Sequence, residues 1–445
     1  MLDRSVLPLL ITLGLGVFLG ALDLSVLAPA LPALGKQFSV ATGDLSWVFT
    51  LYLLVNIVGI AVMSTLADRY GRRPVYLACV LIFVAGSALA IVSHDYGVFL
   101  VARAVQAFGA GGIFPVATAA IGDVIPKERR GAALGLVAAT WGLAAVLGPV
   151  YGGMVTHFVS WRFIFAPNFP IAAAVLVLAL RHVPVNAPRV RGPLDVGGLF
   201  LLCVGLLFVM YGVNGLHAVT LAVGIVLLVF FALWQRACDY PIVPPALFAN
   251  RQLAKTFALE IFIGVLEGSL FFIPAVLVGA QHISYAAAGL VAAVGAFMFV
   301  AVIPASGRAL DRIGSRDVLL IGTLLTEAGL VIFALSFTSL ALSVIAMIVA
   351  GAGFGALLGA PTRYIVTNAT TERHRATAIG LLSQFLIMGQ IIGGSLAGGI
   401  MGHAVSDYSA FRNTYLAFAA VALLALALTS TLTGRQQEIR PAATE

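Results

Sequence analysis

Apolar residues along this chain come in long blocks separated by short segments that hold Gly, Pro and charge. A bilayer core about 30 Å thick takes about 20 helical residues to cross, and only helices or closed barrels satisfy their backbone polar groups there. The pattern predicts fourteen membrane helices, the first seven over 7–34, 46–66, 74–93, 97–121, 130–156, 163–181 and 196–215. The second seven fall over 217–236, 254–279, 285–306, 317–337, 339–363, 375–400 and 412–433. Almost no polar residue marks the turns at 215–217 and 337–339.

The polar punctuation itself repeats. Ser64-Thr-Leu-Ala-Asp-Arg-Tyr-Gly-Arg-Arg73 returns in degenerate form as Gly307-Arg-Ala-Leu-Asp-Arg-Ile-Gly-Ser-Arg316, aligning Asp68 with Asp311, Arg69 with Arg312, Gly71 with Gly314 and Arg73 with Arg316. The copies lie 243 residues apart and follow the second and tenth spans, so spans 1 to 6 and 9 to 14 are equivalent halves and the seventh and eighth are an insertion. The expected units are an N-terminal six-helix bundle over 1–183, a linker with two inserted helices over 184–252, a C-terminal bundle over 253–434 and a tail over 435–445. Pro184 to Pro193 is the clearest linker, and Pro241 to Arg251 forms another. Internal repeats of this kind build carriers that expose a central site to each side in turn.

Charge tests the helix count, because a missed or invented span would mix basic residues between the two membrane faces. With the N-terminus inside, 21 of the 25 Lys and Arg residues fall on cytoplasmic tails and loops; Lys36, Arg162 and Arg412 fall outside and Arg103 lies within a span. Both termini are thus expected in the cytoplasm of a cell whose plasma (inner) membrane the chain crosses. The net charge of +7 then reflects topology, with no affinity for nucleic acid implied. At 61% hydrophobic and 10% charged residues, with a mean hydropathy of +1.06, the chain has too little polar surface for a soluble globule. The first span is too long for a signal-peptide core and is expected to be retained. Cys79, Cys203 and Cys238 are scattered, so neither a disulfide framework nor a metal site is expected.

Ionisable residues deep in the spans are the sharpest chemical feature, since each costs roughly 2.5 to 3.5 kcal/mol at a helix centre on insertion scales. They are Asp23, Arg103, Glu260, Glu267 and Glu327. Four acids against one base leave an electronegative interior suited to exchanging protons for a cationic substrate and unsuited to anions. Glu260 and Glu267, seven residues apart, lie within about 20° of each other around a helix and can share a cavity. Glu260 also reads as a headgroup-level residue beside Lys255. Asp23 and Glu327 read either as coupling groups or as hydrogen-bonding partners between helices, and Arg103 as a coupling group or a fixed counter-charge. Asn56, Asn168, Gln384 and Gln390 are neutral candidates for a pathway, and Trp47, Phe271, Phe272, Phe297 and Phe299 for stacking on a flat cation.

Four signatures resemble the major facilitator superfamily, specifically its fourteen-helix branch of drug:proton antiporters. They are Leu22-Asp-Leu-Ser-Val-Leu-Ala-Pro-Ala-Leu-Pro32 in the first span, the loop motif over 64–73, Leu100-Val-Ala-Arg-Ala-Val-Gln-Ala-Phe-Gly109 in the fourth, and Gly148-Pro-Val-Tyr-Gly-Gly153 in the fifth. Trp161-Arg-Phe-Ile-Phe165, Asn168 and Pro170 follow in order. Ala28 stands where that branch usually has Asn, and Ser64 where it usually has Gly.

The resemblance implies an all-α integral membrane protein of the major facilitator fold, monomeric, with two six-helix bundles and two inserted central helices. It implies multidrug efflux and antibiotic resistance through antiport of lipophilic, cationic drugs against protons. Asp23, Arg103, Glu260, Glu267 and Glu327 are its expected proton-coupling set. Asp68, Arg69, Gly71, Arg72, Arg73, Asp311 and Arg312 form a conformational latch, beside the topological role of the arginines, and Gly148, Pro149, Gly152 and Gly153 form the antiporter element. No cofactor is expected. Gly35-Lys36 lacks the remaining residues of a phosphate-binding loop, so neither ATP-driven transport nor an enzyme is expected. The competing readings are a proton-coupled metabolite importer, against which the fifth-span element argues, and a non-transporting membrane sensor.

Overall fold

The computed structural model describes residues 6–41, 44–125, 127–185, 195–215, 217–239, 241–243, 245–335, 339–370, 375–403 and 407–434. It is 89% helical, with no strand among the described residues. In chain order the helices are α1 Leu7–Val26, α2 Leu31–Phe38, α3 Ser46–Tyr70, α4 Arg72–Val92, α5 Tyr96–Val124, α6 Lys127–Phe158, α7 Asn168–His182, α8 Val196–Asn214 and α9 Ala218–Ala237. They continue as α10 Arg251–Gly268, α11 Ile273–Gln281, α12 Tyr285–Ile313, α13 Ser315–Leu335, α14 Leu340–Leu357, α15 Pro361–Ala369, α16 Arg375–His403 and α17 Asp407–Ser430.

Four of the expected spans are broken, the sixth by a 3-10 turn at Trp161–Phe165 ahead of α7. The first divides into α1 and α2 around a 3-10 turn at Ala28–Ala30, and the ninth into α10 and α11 around Ser269–Phe272. In each, a proline (Pro32 or Pro274) stands in the first turn of the second piece, where its missing N–H has no helical partner to lose. The twelfth, expected over 339–363, ends at Leu357, turns through Leu358–Ala360 and restarts at Pro361 as α15, reaching Ala369. The fourteenth begins at Asp407 instead of 412, so Arg412 lies in its second turn and not at its start. The charged start of that helix escapes a reading based on apolar runs. Thirteen stretches have the length and composition to cross a membrane among the described residues. α6 is the fourteenth span by position and starts with Lys127, Glu128, Arg129 and Arg130. The sharp linker expected at Pro184 to Pro193 falls largely on 186–194, outside the described residues, and the second linker holds a 3-10 turn at Pro245–Ala249.

The internal repeat is written in the backbone. Gly71 and Gly314, 243 positions apart, have φ of 95° and 90°, a region costly for any residue with a Cβ, and each ends one helix and starts the next. Ser39 and His282, also 243 apart, are left-handed C-caps with φ of 55° and 53°.

Packing across the halves is concentrated at the end opposite the basic loops. There Leu22, Val26, Leu31 and Leu34 share one apolar core with Val265, Leu266, Phe272, Ile273 and Val276. At the basic-loop end each half keeps a separate core, one around Leu10, Ala67, Val75 and Ile121, the others around Phe257, Val366 and Leu381 and around Leu319 and Ile365. The inserted α8 lies along the seam between α3 and α16, with Leu202, Leu206 and Met210 against Leu53, Ile57 and Ile391. Asp195 caps α8 through Gly198 N (2.7 Å) and ties it to α9 by accepting from Trp234 Nε1 (2.9 Å) and Gln235 Nε2 (2.6 Å).

Candidate functional site

Two groups of buried polar side chains lie inside the bundle, one in each half. In the first, Asp23 of α1 is 1% exposed and Arg103 of α5 is wholly buried. Asp23 Oδ2 accepts from Arg103 Nη1 at 2.6 Å, while Oδ1 accepts from Gln106 Nε2 at 3.0 Å and from Asn168 Nδ2 at 3.1 Å. Ser87 of α4 accepts from the same two amides at 2.7 and 3.0 Å, and Arg103 Nη1 also donates to Gln106 Oε1 at 2.7 Å. The Arg103 guanidinium sits 4.2 Å from the ring centroid of Tyr52 on α3. Its Nε and Nη2 have no hydrogen-bond partner among the described residues.

Sequence spacing accounts for part of this cluster. Arg103 and Gln106 are three apart and share a face of α5. Gly86 brings α4 against that face, for a Cβ there would lie 2.5 Å from Gln106 N. Asp23 follows from its place in an apolar helix, but Ser87 and Tyr52 are ordinary residues in membrane helices and carry no signal of their own. The group makes Asp23 a saturated carboxylate: three donors, one of them cationic, engage both oxygens.

The second group lies on α10. Glu267 Oε2 accepts from Gln390 Nε2 of α16 at 2.9 Å, and Glu260 Oε1 accepts from Thr362 Oγ1 of α15 at 3.0 Å. Glu260 Oε2 has no partner among the described residues, and the residue is 5% exposed. Lys255 does not reach it among the described residues, its Nζ donating instead to Thr431 O at 2.7 Å. Glu327, half-buried on α13, is joined to the other acids by no hydrogen bond or ion pair among the described residues.

At the basic-loop end, Arg72 Nε pairs with Asp123 Oδ2 at 3.2 Å, Arg73 is half-buried, and Arg69 and Arg312 are exposed. The side chains of Asp68 and Asp311 lie outside the described residues. At the opposite end the glycines of α6 serve as contact surfaces. Gly148 lies against the Ser25 side chain and Gly152 against the Val26 carbonyl, both of the first half. A Cβ on Gly153 would lie 2.6 Å from Tyr285 O of α12, and Gly289 of α12 lies against the Pro149 carbonyl, so this contact joins the two halves. Pro149 sits within an unbroken α6.

No group of three or more His, Cys, Asp or Glu placed to hold a metal occurs among the described residues. The geometry offers instead a paired, hydrogen-bonded carboxylate in one half and two carboxyls bonded only to neutral donors in the other.

The family model of the Major Facilitator Superfamily matches residues 13–249 and 256–444. The Uncharacterized MFS-type transporter YfiU of Bacillus subtilis (strain 168) is 32% identical over 413 residues, covering 87% of this chain and 78% of that protein. The Efflux pump dotC of Dothistroma septosporum (strain NZE10 / CBS 128990) is 31% identical over 280 residues, covering 59% of this chain and 48% of the pump, so the match spans about half of that relative. Among solved structures, a D-xylose-proton symporter superposes with a TM-score of 0.73 at 16% identity, over 98% of this chain and 100% of its own; at that identity the likeness speaks for the fold. Helices, repeat and family match together make this chain a member of the Major Facilitator Superfamily, whose members are membrane transporters.

Proposed function

We propose that the protein is a proton-coupled exporter of lipophilic cations, exchanging them for protons by alternating access across the plasma (inner) membrane, with both termini in the cytoplasm. The observation that carries this reading is the charge balance of the interior: Asp23 is matched by Arg103, whereas Glu260 and Glu267 have only neutral hydrogen-bond donors among the described residues. Such carboxyls favour a proton or an organic cation and reject anions. The likeness to an efflux pump supports the outward direction, as does the glycine contact between α6 and α12.

In this reading the halves are closed against each other on the outer side, where they share a core, and keep separate cores on the cytoplasmic side. The loop motif around Gly71 and Gly314, with Asp68, Arg69, Arg72, Arg73, Asp311 and Arg312, acts as the latch between states. Asp23, Arg103, Glu260, Glu267 and Glu327 form the coupling set. The test is ethidium movement in proteoliposomes under an imposed pH gradient. Gradient-dependent accumulation that an ionophore collapses is expected; movement insensitive to the gradient would rule out proton coupling, and transport of a sugar or nucleoside in preference to cations would favour a metabolite carrier.

A further inference from the structure

Glu260 and Asp23 are buried alike but solvated differently. Three donors, one of them the Arg103 guanidinium, surround Asp23, so its negative charge is stabilised where it stands. One hydroxyl, that of Thr362, serves Glu260, and its second oxygen has no hydrogen-bond partner among the described residues. The charged groups whose fields reach Glu260 are Arg363 of α15 and Glu267 of α10, opposite in sign, and neither forms an ion pair with it among the described residues. A carboxylate so placed bears most of its desolvation cost uncompensated, whereas the neutral acid does not. The geometry fits a carboxyl that holds a proton in this conformation.

Its partner is placed to respond when that proton leaves. Thr362 is the second residue of α15, directly after the break at Leu358–Ala360, so the amino-terminal end of a half-helix meets Glu260 through that hydroxyl. Such an end carries partial positive charge and draws an anion more strongly than a neutral acid. Arg363 and Tyr364, next along α15, are exposed at the surface of the bundle. Resting on the exchange reading above, we propose that Glu260 is the carboxyl that carries the transported proton, and that the first turn of α15 senses its charge. On discharge the O–H bond of Glu260 breaks, the proton passes to water, the electron pair stays on the carboxylate, and the α15 end tightens onto it. Asp23 stays ionised beside Arg103 throughout and acts as a fixed counter-charge.

The experiment uses the full chain and ethidium as the probe. Wild type, Glu260→Gln, Asp23→Asn, Thr362→Val and Thr362→Ser are reconstituted for gradient-driven accumulation and for ethidium counterflow at equal pH, and proton release on ethidium binding is followed in weakly buffered detergent with a pH dye. Glu260→Gln is expected to lose driven accumulation and proton release while keeping counterflow, which also shows that it is folded. Asp23→Asn, which leaves Arg103 without its counter-charge, is expected to lose driven accumulation while still releasing a proton on ethidium binding. Thr362→Val should release protons yet accumulate poorly, with Thr362→Ser restoring accumulation. Driven accumulation by Glu260→Gln, or proton release lost in Asp23→Asn and kept in Glu260→Gln, overturns the proposal and leaves the exchange reading standing. A wild type that moves ethidium without regard to the gradient overturns both. Should Glu260→Gln fail to fold, a lipophilic carbodiimide, which attacks protonated carboxyls, is applied to the wild type and mapped by mass spectrometry. Modification at Glu260 that blocks driven accumulation is expected; modification at Asp23 instead, or none at Glu260, overturns the assignment.

Discussion

Phe49 of α3 and Phe271, in the 3-10 turn between α10 and α11, stack with ring centroids 4.4 Å apart and planes 13° from parallel. Phe272 meets the same Phe49 ring edge-on at 6.4 Å. Phe49 belongs to the first half and the other two to the second, so the aromatic cluster closes the bundle at the end opposite the basic loops. Any state that opens there must break this stack, while Asp23 and Arg103 lie within one half and need not part.

Phe49→Ala is therefore expected to raise the population open at that end without unfolding either half. An aromatic pair contributes about 0.5–1.5 kcal/mol beyond its buried area, which corresponds to a shift of about twofold to thirteenfold. Spin labels at Lys36 and His282, at the ends of α2 and α11, will report it as growth of the longer distance. An unchanged distribution would show that the stack does not hold the halves together.

Neutralising one member of the buried pair leaves the other uncompensated, at a cost of about 3–5 kcal/mol, while removing both charges together is far milder. Asp23→Asn and Arg103→Gln should each lower the thermal unfolding midpoint in detergent more than the double variant does. A double variant at or below the sum of the singles would mean that Asp23 and Arg103 act independently.

The separation of legible from illegible features follows their physical origin. Spans and repeat were readable because lipid demands long apolar runs and because Gly71 and Gly314 keep one backbone conformation 243 residues apart. Asp23, Arg103, Glu260 and Glu267 stood out because charge is rare in such runs. Their partners did not: Ser87, Tyr52 and Thr362 look like any small polar or aromatic residue until helix packing sets them beside a carboxylate. Breaks were hidden for a related reason, since apolar residues continue through Ala28–Ala30 and Ser269–Phe272 and composition alone does not register a change of helical pitch. The partner of Lys255 was equally hidden, since the Thr431 carbonyl that its ammonium reaches lies 176 residues away in the chain.

Gly153 and Gly289 meet across the halves so closely that added side chains have no space. Gly153→Leu should obstruct closure of α6 on α12, since overpacking of a tight contact costs about 1–3 kcal/mol. A cysteine at Val26, buried at this end, should then become more reactive towards a membrane-impermeant maleimide, and driven ethidium accumulation should fall. Reactivity equal to that of the parent would show that α12 yields to the larger side chain and that this contact does not limit closure.

Asp195 lies just ahead of the membrane-spanning part of α8 and binds the two inserted helices together. Burial pushes its carboxyl up, but hydrogen bonds from Gly198 N–H, Trp234, Gln235 and Cys238 outweigh that effect and hold it below the usual carboxylate range. A lowered value in the folded chain means that the carboxylate contributes stability above the unfolded value of about 3.9, and that the contribution fades as pH falls through the folded one. Asp195→Ala removes a helix cap, at a cost of about 0.5–2 kcal/mol from that bond alone, and leaves Trp234 and Gln235 without their acceptor. The variant should unfold at lower temperature than wild type at neutral pH, and the gap should narrow on acidification as the wild-type carboxyl takes up a proton. A gap that stays constant across the acid range would show that the charge of Asp195 does not hold the insert, leaving only its shape to do so.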